Sequence, residues 1–183
     1  MVRNPLAQRP SGLYLYQLEV KYALVQLCFN PANGWRVTVD VDPMERARGG
    51  KQAPDKADRA EAARAGLEAL GVTIGRHPQF GPVDLVADHP ELGLRLLEVE
   101  GESTRQTEQA VYSALGQLLM SMKLRGPQIR YGLAVPHGPL WTRQLRKLPP
   151  ELTKLLCLDL YSVDHGRVEI TNAGETIPDY RRA

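Results

Sequence analysis

Cysteine, histidine and long apolar runs are scarce in this sequence, and each scarcity argues against a class of protein. The 183 residues include two cysteines and four histidines. Cys28 and Cys157 lie far apart inside apolar runs, where free cysteine packs as a small hydrophobic residue, so a zinc site is not expected. No stretch approaches the roughly 18 consecutive apolar residues that are needed to cross a bilayer.

Targeting signals and phosphate-binding loops are also missing. The residues that follow Met1 lack the apolar centre of a signal peptide, so we expect a cytoplasmic protein that does not associate with a membrane. Gly50 and Lys51 are adjacent, but the other residues of a P-loop are absent. Ser103 has no histidine or aspartate at a recognisable spacing, and a helix cap explains it better than a nucleophile.

The charge of the chain is nearly balanced, and a net charge of +2 does not by itself indicate nucleic acid. The basic residues are clustered, however, and a local field can be positive when the total is close to zero. The alternative for any single cluster is a solvated surface. The clusters are Arg46, Arg48, Lys51, Lys56 and Arg59; Arg143, Arg146 and Lys147; and Arg181 and Arg182.

The N-terminal part of the chain has the alternating pattern of β-strands. Apolar and polar residues alternate from Tyr14 to Leu24, and again from Trp35 to Val41, with an Asn-Gly turn at Gly34 between the two runs. This pattern predicts an N-terminal β-hairpin unit, with a basic loop completing residues 1–50.

Residues 51–183 read as a second unit that contains both helices and strands. The order of helix, three strands, helix and strand predicts an α/β fold, a mixed β-sheet flanked by helices, which ends in a C-terminal β-hairpin. The predicted elements are a helix over 55–71, strands near 72–75, 82–87 and 94–100, a helix over 104–124, a strand over 129–135, a short helix over 139–147 and a hairpin over 156–171.

Two of the predicted strands carry acidic residues where buried strands ordinarily carry apolar ones. Asp84 follows Pro82 near the start of one strand, and Glu98 and Glu100 lie on the next. Side chains alternate between the faces of a strand, so Glu98 and Glu100 point the same way. If the two strands pair antiparallel through the short turn between them, Asp84 lies near Glu98 or Glu100.

Such a group of carboxylates indicates a site for a hard cation. Carboxylates this close repel one another, and they are costly to bury without a partner. Mg²⁺ or Mn²⁺ binds oxygen ligands of this kind, together with water and a substrate phosphate. A metal there lowers the pKa of a bound water and polarises a phosphoryl oxygen, which predicts phosphodiester hydrolysis with Asp84 and Glu98 as metal ligands.

The helix with Glu61, the strand with Asp84, the strand with Glu98 and Glu100, and the helix with Gln117 together resemble the PD-(D/E)XK nuclease superfamily. The resemblance covers roughly residues 55–135. In that family the first acid follows a proline-containing strand start, and a lysine comes two residues after the second acid. The resemblance implies a restriction-endonuclease-like fold, nuclease activity, and metal ligation by Asp84 and Glu98.

Glu100 occupies the position of the family's lysine, and this is the main departure from the pattern. The lysine positions or activates the attacking water, and Glu100 cannot supply its positive charge. Some family members with glutamate or glutamine there resemble active enzymes, whereas others keep only the fold. Two hypotheses follow: a metal-dependent nuclease acting on DNA, with Asp84, Glu98, Glu100 and Gln117 as catalytic residues, or a catalytically degenerate module that binds nucleic acid or serves in assembly.

Further residues are assigned supporting roles. Gln117 lies on a polar stripe of its helix with Gln106, Gln109 and Ser113, and it could hydrogen-bond phosphate or orient water; a solvent-exposed face is the alternative. Glu61 is assigned as an outer metal ligand, with an exposed position on its helix left open.

Basic residues from three segments are assigned to substrate contacts. Arg105, Lys51 and Arg143 are expected to bind the phosphates of nucleic acid. Arg105 and Lys123 are the two candidates for the cation that Glu100 cannot supply. The N-terminal β unit could pair two copies of the chain, so a homodimer is left open.

Overall fold

The protein folds as an eight-stranded mixed β-sheet with helices packed on both of its faces. The computed structural model describes residues 15–46, 53–103, 106–124, 126–172 and 175–177. No helix among these residues is long and apolar enough to cross a membrane.

Five α-helices and eight strands form the described fold. The helices are α1 (Gln17–Leu27), α2 (Lys56–Ala69), α3 (Thr107–Ser121), α4 (Pro139–Leu145) and α5 (Pro150–Leu155), and two short 3₁₀ turns lie at Pro31–Asn33 and Pro43–Arg46. The strands are β1 (Arg36–Val39), β2 (Thr73–Ile74), β3 (Leu85–His89), β4 (Gly93–Val99), β5 (Ile129–Pro136), β6 (Leu158–Asp164), β7 (Arg167–Asn172) and β8 (Glu175–Ile177).

The sheet has a parallel centre and mostly antiparallel margins. Its strand order is β2-β1-β3-β4-β5-β6-β7-β8. Strands β4, β5 and β6 run parallel, whereas β1, β3 and β4 pair antiparallel in turn, and so do β6, β7 and β8. At one edge, the short β2 runs parallel to β1. The antiparallel pair β3–β4 therefore lies directly beside the parallel strands, where β4 ends close to the start of α3.

Two hydrophobic clusters lie on opposite faces of the sheet. Along β4, Leu97 and Val99 pack with α1 and α2 on one face, and Leu96 packs with α3 and α4 on the other. Both faces of the central strands are thus covered, as expected for a sheet with parallel strands at its centre.

The prediction of an N-terminal β-hairpin was wrong for the first of its two strands. Residues 17–27 form α1, and only the second half of the region forms a strand, β1. In α1 the buried residues include neighbours such as Ala23, Leu24 and Val25, because the helix packs against both the sheet and α2. Burial on several sides removes the single apolar stripe of a surface helix, and the remaining alternation mimics a strand.

β1 is an inner strand of the main sheet, because it pairs with β2 on one side and with β3 on the other. The N-terminal region therefore supplies a buried helix and an inner strand, not an appended hairpin.

The element predictions from residue 53 onwards were confirmed in type. Each predicted helix and strand has a counterpart within a few residues, and the closing hairpin is β6–β7. Two short elements, α5 and β8, were missed. The α/β class with a mixed sheet flanked by helices is therefore confirmed.

Candidate active site

The antiparallel pairing of β3 and β4 brings Asp84 and Glu98 together. Leu85 pairs with Leu97 in this ladder, so Asp84, just before β3, lies beside Glu98 near the end of β4. The backbone carbonyl of Asp84 also accepts a hydrogen bond from the Asp40 N–H at 3.0 Å, which ties the site to the end of β1. The juxtaposition expected from the spacing of these acids is thus present.

Asp84 is held by donors from two other elements. Its Oδ2 accepts the backbone N–H of Val99 at 2.9 Å, and its Oδ1 lies 2.8 Å from the ammonium Nζ of Lys21. The side-chain amide of Gln17 donates to the Val99 carbonyl at 2.8 Å and lies 3.3 Å from both carboxylate oxygens of Asp84. The carboxylate orientation is therefore fixed by the sheet backbone and by α1.

Lys21 is fully buried, with a relative exposure of 0%, and its ammonium has three acceptors. Besides Asp84, Nζ lies 2.7 Å from Oε1 of Glu45 and 2.7 Å from the backbone carbonyl of Asp40. Burial by itself lowers the pKa of Lys21, but the charges and hydrogen bonds of Asp84 and Glu45 outweigh it and hold that pKa above its ordinary value. The ammonium is therefore a permanent positive charge inside the site.

Glu98 is a buried carboxyl group, with a relative exposure of 5%. Burial raises the pKa of Glu98 to about 9, and the charge of Asp84 and a hydrogen bond with its carboxylate add to the effect. Lys21 opposes the shift, and Glu100 contributes to it. Near neutral pH Glu98 therefore carries a proton that it shares with Asp84.

Glu45 lies on the 3₁₀ turn Pro43–Arg46 and is also buried, with a relative exposure of 5%. Its Oε1 accepts from Lys21 and from the backbone N–H of Asp42, at 2.7 and 3.0 Å. Its Oε2 is buried and has no hydrogen-bond partner among the described residues. Burial raises the pKa of Glu45, and the ammonium of Lys21 offsets part of that rise.

A close backbone approach places the start of α1 beside the end of β4. A Cβ atom on Gly101 would lie 2.0 Å from the backbone nitrogen of Gln17, so only glycine fits there without a shift. The backbone N–H of Glu102 donates to the carbonyl of Leu15 at 2.8 Å. This contact explains why Gln17 and Lys21, far from the acids in sequence, reach them in the fold.

A cleft of about 530 Å³ is lined by Gln17, Glu45, Asp84, Glu98 and Gly101, whereas Lys21 is buried against two of them and does not line it. Among the described residues, seven carboxyl groups contribute to its wall, against two cationic side chains, Lys56 and Arg76. The cleft is therefore acidic, and an anionic ligand entering it needs additional positive charge. The carboxyl groups are those of Asp40, Asp42, Glu45, Asp84, Glu98, Glu100 and Glu102.

Four of the predicted site residues line this cleft. Glu100 is half-buried two residues after Glu98, and Gln117 reaches the rim from the exposed face of α3. With Asp84 and Glu98, they form the group that had been assigned to catalysis.

Two of the other predicted site residues, Glu61 and Arg143, do not line the cleft. Glu61 is exposed on α2, and although the first residue of that helix, Lys56, lines the cleft, Glu61 does not, so its position does not support its assignment as a metal ligand. Arg143 is exposed on α4, also away from the cleft. Lys51 and Arg105 lie outside the described residues.

The sequence reasoning missed Gln17, Lys21 and Glu45. One signal was available: with residues 17–27 taken as a helix, Lys21 falls on the same face as Leu18 and Val25, so a charge lies on an apolar stripe. The strand assignment placed Lys21 on a polar face and hid that signal. Glu45 gives no such sign, because only the fold brings it to Lys21.

The carboxylate oxygens at this site supply part of the ligand shell of a hard divalent cation. Among the described residues, no three histidine, cysteine, aspartate or glutamate side chains form a group that could hold a metal ion. Mg²⁺ commonly binds only one or two carboxylates, however, and completes its shell with waters and substrate phosphate. Asp84 and Glu98 meet that smaller requirement.

Comparison with known proteins leaves the chain without an assigned relative. No family model matches it, and no match was found among curated proteins or solved structures. The resemblance to PD-(D/E)XK nucleases therefore stays a prediction.

Proposed function

We propose that the protein is a metal-dependent nuclease of the restriction-endonuclease-like fold that hydrolyses phosphodiester bonds in DNA in the cytoplasm. One observation carries the proposal. The carboxyl groups of Asp84 and Glu98, from adjacent strands, lie side by side in the wall of a cleft, and the buried ammonium of Lys21 contacts Asp84 from outside that wall. Burying these ionisable groups together lowers the stability of the fold, because each loses its hydration. Clusters of buried ionisable groups are typical of functional sites.

Asp84 and Glu98 are the residues that would hold Mg²⁺ or Mn²⁺. A bound ion of this type activates a water molecule and neutralises the charge that develops on a phosphoryl group. The surrounding protein keeps the ligands in place, since the Val99 N–H and the Gln17 amide fix the Asp84 carboxylate. For Glu98 to act as an anionic ligand, its proton must leave.

Other residues of the cleft have roles that follow from their chemistry. Glu100 can accept a proton from water or orient it, as a carboxylate beside the ligands. Gln117 can donate from its side-chain amide to a phosphate oxygen. Among the described lining residues, Lys56 and Arg76 have cationic side chains that can attract the phosphate backbone.

The acidic wall supports the nuclease hypothesis more than the non-catalytic one. A module that binds nucleic acid without a metal ion depends on cationic side chains for its affinity, and the described wall of the cleft has seven carboxyl groups and two cationic side chains. Hydrolysis with a divalent cation accounts for such a wall, because the ion supplies the missing positive charge. The observation that favours the degenerate module is Glu100, which replaces the expected lysine.

The test is cleavage of end-labelled duplex, single-stranded and branched DNA with Mg²⁺, Mn²⁺ or EDTA, using the wild-type protein and Asp84→Asn. Asparagine keeps the size of the side chain and removes its charge. We expect cleavage that depends on metal and is lost in the variant. Salt-sensitive binding without cleavage, under all metal conditions, would favour the non-catalytic module instead.

A further inference from the structure

The Asp84 carboxylate has almost no free capacity to bind a cation. Two oxygens offer about four acceptor positions. Oδ1 faces the ammonium of Lys21 and the side-chain amide of Gln17, and Oδ2 faces the backbone N–H of Val99 and the same amide. A cation that binds Asp84 must therefore displace a donor.

Lys21 is the charged donor that has an alternative acceptor nearby. The Val99 N–H belongs to the sheet backbone and cannot move away. Lys21 already contacts Oε1 of Glu45, and Oε2 of the same carboxylate is buried without a partner among the described residues. A small rotation about the last side-chain bonds of lysine exchanges one carboxylate oxygen for another.

We propose that Lys21 exchanges partners, bonding Asp84 in the metal-free protein and turning to Glu45 when a divalent cation takes Asp84. This inference rests on the proposed function, because it concerns the same Asp84 and Glu98 site. Lys21 and Glu45 are then positioning residues that together set the affinity of the site for the ion.

The exchange has a consequence that a purely structural role does not have. The ammonium repels an incoming cation, and the Glu45 carboxylate removes part of that repulsion by accepting the ammonium. Removing the positive charge should therefore strengthen cation binding, and removing the charge of Glu45 should weaken it. A structural role would make both variants weaker, in proportion to their loss of stability.

The experiment is calorimetric titration of Mn²⁺ into the wild-type protein, Lys21→Met and Glu45→Gln, with the melting temperature of each metal-free protein measured alongside. Both variants should melt below wild type, since each disrupts a buried ion pair. Their Mn²⁺ dissociation constants should move in opposite directions, by about tenfold or more: down in K21M and up in E45Q.

Arg130→Met is the matched control. Arg130 forms a partly buried ion pair with Asp159 between β5 and β6, and neither residue lines the cleft. This variant should lose stability without changing Mn²⁺ affinity. If K21M does not fold, E45Q and the control still decide the question: unchanged or tighter Mn²⁺ binding in E45Q overturns the exchange.

The outcomes separate this inference from the proposed function. Opposite shifts in affinity without cleavage of any DNA would support the exchange and contradict the nuclease. Metal-dependent cleavage together with parallel shifts in affinity would overturn the exchange and leave the nuclease standing. Absence of Mn²⁺ binding to the wild-type protein would overturn both.

Discussion

The shared proton of Glu98 predicts a pH dependence that stability measurements can detect. Burial and Asp84 raise the pKa of Glu98 from 4.5 to about 9 in the folded protein. In the unfolded chain this carboxyl group titrates near its ordinary value. Between the two pKa values the folded state binds a proton that the unfolded state has lost, so the free energy of unfolding falls as pH rises through that window.

The size of the effect follows from the linkage relation. One group contributes at most about 1.4 kcal/mol for each pH unit in the window. From pH 6.5 to 8.5 the loss should therefore be about 2–3 kcal/mol, which corresponds to roughly 5–10 °C in melting temperature for a chain of this size. Below about pH 4.5 the proton on Glu98 makes its full contribution to the free energy of unfolding.

Glu98→Gln removes this titration and keeps a neutral side chain of the same shape. The assay is thermal unfolding in EDTA at half-unit intervals from pH 6.0 to 8.5. We expect the melting temperature of wild type to fall more steeply with pH than that of E98Q. Glu91→Gln, at an exposed glutamate in the β3–β4 turn, should keep the wild-type slope. Equal slopes in wild type and E98Q would refute the shared proton.

Three further predictions concern stability and activity. Asp84→Ala should lower the free energy of unfolding of the metal-free protein by about 3 kcal/mol, because it removes one of the three acceptors of the buried Lys21 ammonium. The measurement is urea unfolding, and an unchanged midpoint concentration of urea would contradict this prediction. Gly101→Ala should cost about 1–3 kcal/mol in the same assay, because its Cβ would meet the Gln17 backbone at 2.0 Å. Glu61→Gln should leave both stability and the cleavage rate unchanged, because the side chain is exposed and does not line the cleft; a loss of cleavage would restore it as a ligand.

The part of the site on β3 and β4 was predictable from the sequence because its determinants are local. Asp84 and Glu98 are separated by a short turn, and antiparallel pairing through that turn leaves few registers in which the buried residues stay buried. The period of α3 likewise predicted that Gln117 lies on the polar side of the helix, opposite its buried residues. Both predictions depend on contacts between residues that are close in sequence.

The contribution of α1 was not predictable in the same way. Its residues are buried against the sheet and α2 together, so the apolar pattern has no single helical stripe, and Val20 and Tyr22 favour a strand by propensity. With the helix unrecognised, Lys21 had no reason to meet Asp84. Glu45 reaches Lys21 only because a 3₁₀ turn after β1 folds back over α1, and no periodicity encodes that contact.

The central claim is that Asp84 and Glu98 hold one divalent cation between them. The most direct measurement is a crystal structure of the wild-type protein grown with Mn²⁺ at about pH 8, with the ion located by its anomalous scattering. We predict one peak between these two carboxylates, within ligand distance of an oxygen of each. A peak elsewhere in the cleft, or none while Glu98 stays bonded to Asp84, would contradict it.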